Sequence, residues 1–318
     1  MTKTYDIIAF ADTCVDLILR DDDVAPRFGQ VEKTVAEYDL VMGGSCCIFA
    51  TQAAKLGLKV VLLGTVGDDA FGELILDTLS SAGVDTRYMQ VDKDLRTGLT
   101  VHLTQGDDRA MLTYPGSSKA LTAADIPDDM LSQSRHLHYG SLFLQTGLLP
   151  DWIKIVRRAK GLGLTVSLDT NWDPAEAWDI DLEEALTSVD VLLPNEQEAK
   201  QLCGAASLAE AAQYLRQAVP ILVVKRGVEG ASAWTKGIET VGTVAEADAG
   251  GDGIGAGDSF DAGFLSGWLN GLAMPDCLSI ACRCGRAVAG QVGGVKGQPR
   301  PSDLRELLML KSDPGKRQ

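Results

Sequence analysis

Apolar residues come in short bursts along this chain, and the bursts follow two different periods. Nearly continuous apolar runs at Asp6–Phe10, Val60–Gly64, His136–Gly140, Thr165–Asp169, Val189–Leu193 and Ile221–Lys225 read as buried strands. Between them, Cys46–Leu56, Phe71–Ala82, Leu148–Lys160, Gln197–Leu202 and Leu208–Ala218 read as helices. Strand and helix taking turns predicts an α/β fold, a mostly parallel central sheet flanked by helices. In such sheets ligands gather beyond the carboxyl ends of the strands. Here those ends carry Asp169-Thr-Asn171, Pro194-Asn195-Glu-Gln-Glu198 and Lys225-Arg-Gly227.

Two segments, about residues 12–42 and 96–115, break the rhythm with short extended pieces and no long amphipathic helix. In the second, Thr97–Leu103 and Ala110–Tyr114 flank the turn Gln105–Asp108 and predict a hairpin. Together they predict a small β-sheet lid over the main sheet. No repeat, low-complexity tract or linker composition divides residues 1–318, which read as a single domain. Lys311–Gln318 reads as a frayed tail.

Charge narrows the partners. With 44 acidic and 29 basic residues the net charge is −15, which argues against a nucleic-acid or anionic-membrane surface and points to small molecules. No apolar run reaches the roughly 18 residues of a membrane helix, and the polar start carries no leader pattern. A cytoplasmic location follows as the expectation. The seven cysteines include no C-x-x-C pair, so neither a disulfide framework nor a zinc site is suggested. His136 and His138 alternate within a strand and read as structural rather than metal-binding. The one other histidine, His102, leaves little material for a Ser/His/Asp hydrolase.

Candidate chemistry concentrates in Asp252–Phe264. Gly253, Gly255 and Gly257, with Ala256 between them, leave backbone amides uncovered just where a helix begins. The first turn of a helix has amides without internal partners, and its dipole favours an anion such as phosphate. Phe260, Phe264 and Trp268 then fall four apart, with Ala262, Gly263, Ser266 and Gly267 allowing close helix packing. Asp258 stands at the mouth of this helix either as a cap or as a base accepting the proton of an attacking hydroxyl. The surplus of glycine favours the base, since a cap needs none. Asp252 either holds the turn or helps hold a cation.

Other phosphate frames fit less well. Gly251, Gly253 and Ala256 match a dinucleotide fingerprint, but the preceding Val244–Gly250 makes a poor strand. The P-loop pattern G-x-x-x-x-G-K-[ST] does not occur.

The order of these motifs resembles the ribokinase-like, PfkB-type carbohydrate kinases over nearly the whole chain. The resemblance rests on Asp16, Gly43-Gly44, Gly64–Gly72, Thr97-Gly98, Asp169-x-Asn171, Asn195-x-x-Glu198, Lys225-x-Gly227 with Gly230, and Asp252-x-x-Gly-Ala-Gly-Asp258. It implies a ribokinase-like fold whose nucleotide-binding part spans about residues 190–300. Asp258 would be the catalytic base toward a sugar hydroxymethyl, with Gly255, Ala256 and Gly257 as the anion hole. Asp16, Gly43, Gly44, Ile48 and Asn171 would face the acceptor. Asn195, Lys225, Gly227 and Gly230 would lie along the nucleotide, and Ala281–Ala289 would flank its adenine. ATP and Mg²⁺ are the implied cofactors, with Glu198 acting on the metal through water, together with a monovalent cation near Asp252. The resemblance also implies a homodimer through the lid. Plain structural readings stand beside these: Glu198 as a first-turn acid, Asp16 as a strand-end acid, Lys225 as a strand terminus, and Gly67, Asp68 and Gly72 as a turn and helix start.

Departures from the family pattern fall mainly on the acceptor side. Ile48 stands where many relatives have Asn, Cys14 replaces a common polar residue, Asp173 stands where Arg is frequent, and Gly253 replaces Thr. The expected activity is ATP-dependent phosphoryl transfer to a primary hydroxyl of a sugar or sugar-like molecule. Ile48 and Cys14 also suit a nucleoside kinase, and the missing Asn and Arg suit a non-catalytic sugar- or nucleotide-binding protein.

Overall fold

A computed structural model describes residues 3–106, 108–236, 238–243 and 251–304. The segments 244–250 and 311–318, read above as a poor strand and a tail, lie outside the described residues.

The chain opens with β1 (Tyr5–Phe10), β2 (Cys14–Arg20) and β3 (Glu37–Met42), followed by α1 (Ser45–Lys55), β4 (Val60–Gly67) and α2 (Ala70–Ser81). Next come β5 (Asp85–Asp92), the hairpin β6 (Gly98–Gln105) and β7 (Asp108–Tyr114), α3 (Asp128–Ser132) and β8 (Ser134–Tyr139). The alternation resumes with α4 (Trp152–Gly161), β9 (Thr165–Leu168), α5 (Leu182–Leu186), β10 (Val191–Leu192), α6 (Glu196–Cys203) and α7 (Leu208–Ala218). β11 (Ile221–Lys225), β12 (Ala231–Thr235), β13 (Ile238–Gly242), α8 (Ala256–Leu269) and α9 (Met274–Ala289) complete it.

The main sheet is nine-stranded, in the order β13-β12-β11-β10-β9-β8-β1-β4-β5. From β5 to β11 neighbours run parallel, while β12 and β13 add antiparallel edges. Period-two alternation sorts each strand between two cores. Ile8 and Phe10 of β1 join Leu137, Tyr139, Val166 and Leu222 on one face. Ile7 and Ala9 join Leu62, Val223, Phe49 of α1 and Phe264 of α8 on the other. Because both faces are covered, the strands read as continuous apolar runs.

A second sheet, in the order β3-β2-β6-β7, is built from the two segments that broke the rhythm. β2 and β6 pair in parallel with Asp16 opposite Thr100 and Ile18 opposite His102. Asp69 ties this sheet to the main one. Its side chain caps α2, accepting from the Gly72 amide at 2.9 Å, and also accepts from the Thr97 amide at 2.9 Å, just before β6. The Gly67–Gly72 segment thus shapes this junction, and Gly72 leaves no room for a side chain because a Cβ would lie 2.2 Å from the Gly67 carbonyl oxygen.

Candidate active site

At the start of α8, Gly253 and Gly255 adopt φ of 68° and 71°, a left-handed backbone that favours glycine. A Cβ on Gly255 would lie 2.5 Å from the Gly294 Cα. Gly255 is the N-cap and offers no side chain, so the amides of Gly257 and Asp258 open the helix uncovered, while that of Ala256 points to the Gly253 carbonyl at 3.4 Å. Asp258 therefore sits inside the first turn and is not the cap. Its half-buried carboxyl is pushed up to about 7, first by burial, then by the nearby Asp169 and Asp12 charges. Lys225 and a hydrogen bond with Ser45 act the other way.

The wall facing Asp258 is held by Asp12, which follows β1. Asp12 accepts from the amides of Ser45 at 2.9 Å and Cys46 at 2.8 Å, so it caps α1 from another element, and it accepts from the Ser141 hydroxyl at 2.6 Å. Asn171 donates to the hydroxyls of Ser45 and Ser141, each at 2.8 Å. Ser141 and Asn171 have φ of 51° and 53°, strained backbone of the kind that collects at functional sites. Gly44 is required because a Cβ there would meet the Asp12 carbonyl oxygen at 2.2 Å. Asp16 of β2 lies over Gly43, with Oδ1 2.4 Å from where a Cβ would stand, and its side chain is buried.

Beneath the helix start, Lys225 donates to Asp169 at 2.8 Å and to the fully buried Asp261 at 3.1 Å. Burial pushes the Asp261 carboxyl well up, whereas Lys225 and a hydrogen bond with Asp261 hold Asp169 down. Lys225 thus bridges two buried carboxyls that burial and their neighbours push in opposite directions. The ammonium lies 3.7 Å from where a Cβ of Gly257 would stand, against the first turn of α8. Gly227 has φ of 55°, and a Cβ on Gly230 would lie 2.1 Å from the Gly242 carbonyl oxygen. Asn195 pairs beside Lys225 and forms a reciprocal capping box with Glu198, Asn195 Oδ1 accepting from the Glu198 amide at 2.9 Å and Glu198 from the Asn195 amide at 2.8 Å. Unlike an ordinary first-turn acid, Glu198 is buried, and burial followed by Asp169 raises it to about 7.

The remaining residues take other places. Asp252 spends its oxygens on the amides of Ile254 at 3.0 Å and Gly293 at 2.9 Å, which favours the turn-holding role over the cation. Asp173 is folded into its own loop, accepting from the amides of Ala175, Ala177 and Trp178. Ile48 is buried against the Gly255 and Gly294 backbone, and Cys14 is half-buried at the start of β2. His136 and His138 are neutral core residues, bonded to Thr165 and Ser167 and lowered by burial. Among the described residues no cluster of three acidic, histidine or cysteine side chains could hold a metal ion. No helix there is long and apolar enough to cross a membrane.

Four participants escaped sequence reasoning: Asp12, Ser45, Ser141 and Asp261. Asp12 could have been found as a carboxylate ending an apolar strand at the ligand edge of the sheet. Asp261 looked like one polar residue on a helix, and only its neighbours give it a role.

A helix start stripped of side chains, a carboxyl within its first turn and an ammonium close to the same turn are groups suited to phosphoryl transfer. The pfkB family carbohydrate kinase pattern matches residues 5–301, and the chain belongs to that family. It is 31% identical to an ATP-dependent ribose-1-phosphate kinase of Halopiger xanaduensis over 87% of this chain and 90% of that one. It is 27% identical to a nucleoside kinase of Methanothermobacter thermautotrophicus, covering 87% of each. A ribokinase II from E. coli solved in complex with ATP and Mg²⁺ has the same fold, with a TM-score of 0.83 at 22% identity over 96% of this chain and 99% of that one.

Proposed function

We propose that this carbohydrate kinase transfers the γ-phosphoryl group of ATP to a primary hydroxyl of a sugar-like acceptor, with Asp258 as the base. The observation that carries the reading is the placement of Asp258 in the first turn of α8, beside uncovered amides and the Lys225 ammonium.

The residues present fit a nucleoside triphosphate with Mg²⁺. Gly257 leaves room for phosphate oxygens beside Lys225, whose ammonium has three donors of which the carboxylates use two. Glu198 and Asn195 would act on Mg²⁺ through its waters, since this ion takes few protein ligands and relies on phosphate. When bound, ATP·Mg²⁺ supplies the phosphoryl group and neutralises part of its charge. Asp258 orients the acceptor hydroxyl and takes its proton late, because this transfer has a loose transition state. The amides of Gly255, Ala256 and Gly257 take up charge on the moving group. Gly43, Gly44 and Asp16 bound the acceptor side, and the smaller sheet acts as a lid that excludes water. A cytoplasmic location belongs to the same proposal, as the source of ATP.

A homodimer through the lid is also part of this reading. The register puts Leu17, Leu19, Leu40, Tyr38, Val101, Leu103, Leu112 and Tyr114 on the lid face opposite Asp16 and His102. Tyr38 is 71% and Leu112 64% exposed, an apolar sheet face suited to a second copy of itself. A monomeric mass by light scattering at micromolar concentration would remove the dimer.

The kinase is tested by ADP release with Mg·ATP across ribose, fructose, ketodeoxy acids and nucleosides. Turnover with one of these, lost in Asp258→Asn, supports it. Binding of ATP and acceptor without any ADP release would support a non-catalytic binding protein.

A further inference from the structure

We propose that His102 is a specificity-determining residue, its imidazole acting together with the Asp16 carboxylate to take up two neighbouring hydroxyls of the acceptor. This rests on the kinase reading and names the acceptor class within it: compounds with a vicinal diol, as in a ribofuranosyl ring.

Period-two alternation in the paired strands β2 and β6 places Asp16, Thr100 and His102 on one face of the lid, with the apolar face behind them. His102 is 5% and Asp16 4% exposed, so both have been withdrawn from bulk water. His102 Nε2 lies 3.0 Å from Asp16 Oδ1, yet neither ring nitrogen makes an aligned hydrogen bond among the described residues. Buried polar atoms are normally satisfied, and each one left unpaired is costly. Thr100, on the same face, bonds instead to the Thr113 hydroxyl at 3.1 Å.

The chemistry of the pair identifies what would complete it. An ionised carboxylate accepts only, an imidazole N–H donates, and a hydroxyl does both. One acceptor hydroxyl donating to Asp16 and its neighbour receiving the imidazole N–H would satisfy both groups and draw the pair into alignment. On the opposite wall Ile48 is apolar and packs on Gly255 and Gly294, while the Asn171 amide is already spent on the Ser45 and Ser141 hydroxyls.

The test compares wild type, His102→Ala and His102→Gln with D-ribose against 2-deoxy-D-ribose and adenosine against 2′-deoxyadenosine, following ADP release. For the ribo compound that is turned over, His102→Ala raises the acceptor KM about tenfold or more and leaves kcat and the KM for ATP within about threefold. The Gln variant, which keeps a donor, recovers most of the loss. The deoxy acceptor already shows the loss in wild type and worsens little in His102→Ala, because both changes remove one interaction. Fully additive losses, or an unchanged KM in His102→Ala, overturn the proposal. Should wild type release no ADP with any of the four, the kinase reading is judged separately on fructose and the ketodeoxy acids, and thermal shift with the four compounds decides the present one. Greater stabilisation by the ribo form in wild type, absent in His102→Ala, supports it, and no preference for the ribo form in wild type refutes it.

Discussion

Replacing Asp258 by Asn should cost the enzyme its activity and make the folded protein more stable. The carboxyl is raised from 3.8 to about 7, because the anion is partly buried and faces Asp169 and Asp12. A group raised by folding contributes stability that is fully present below its unfolded pKa and is lost as pH rises through its folded one. For Asp258 that window runs from about 4 to about 7, and at about 1.4 kcal/mol per unit the ionised form forgoes up to about 4 kcal/mol. Partial exposure reduces this, and a gain of about 1–3 kcal/mol is expected for the neutral amide at pH 8. The assay is denaturant unfolding of both proteins at pH 5 and pH 8. Asp12 and Glu198 titrate in both, so the difference between the two proteins reports Asp258 together with its coupling to its neighbours. The variant should be the more stable at pH 8 and show little advantage at pH 5, while its turnover falls by about two to four orders of magnitude with ATP affinity retained. An Asn variant that is no more stable at pH 8 than at pH 5, relative to wild type, would refute the electrostatic account.

In wild type, kcat/KM should climb about tenfold per pH unit up to about 7 and level off above about 8, as the base must be ionised, and a flat profile from pH 5.5 to 8.5 excludes Asp258 as that base. Lys225→Met should destabilise the fold by about 3–5 kcal/mol by leaving Asp169 buried and unpaired, and move the acid limb of that profile upward, both read from denaturant melts and pH–rate curves. Gly255→Ala should lower turnover and cost about 1–3 kcal/mol, since a Cβ there meets backbone 2.5 Å away in a left-handed conformation. Unchanged kinetics in that variant would mean the loop is free to shift.

The main sheet was legible because its interior strands are buried on both faces and so leave continuous apolar runs. Expected Ile221–Lys225 and Leu208–Ala218 agree with the observed bounds of β11 and α7. Three strands went unread: β5 and β13, because Asp85–Asp92 and Ile238–Gly242 are largely exposed edges, and β12, because Ala231–Thr235 is buried but too short and too mixed with Ser and Thr to make an apolar run. The glycine-rich start of α8 could be read because its demands are local: positive φ and absent side chains are properties of a few consecutive residues. What surrounds it depends on residues distant in sequence. Asp12 caps a helix that begins at Ser45, Asp169 and Asp261 hold Lys225, and Asp16 meets His102 across two strands. A lone aspartate or histidine looks the same in any solvated loop. Its charge state and its partner are set by which other carboxylates, amides and ammonium groups the closed sheet brings within about 3 Å, and by how much water that closure leaves between them.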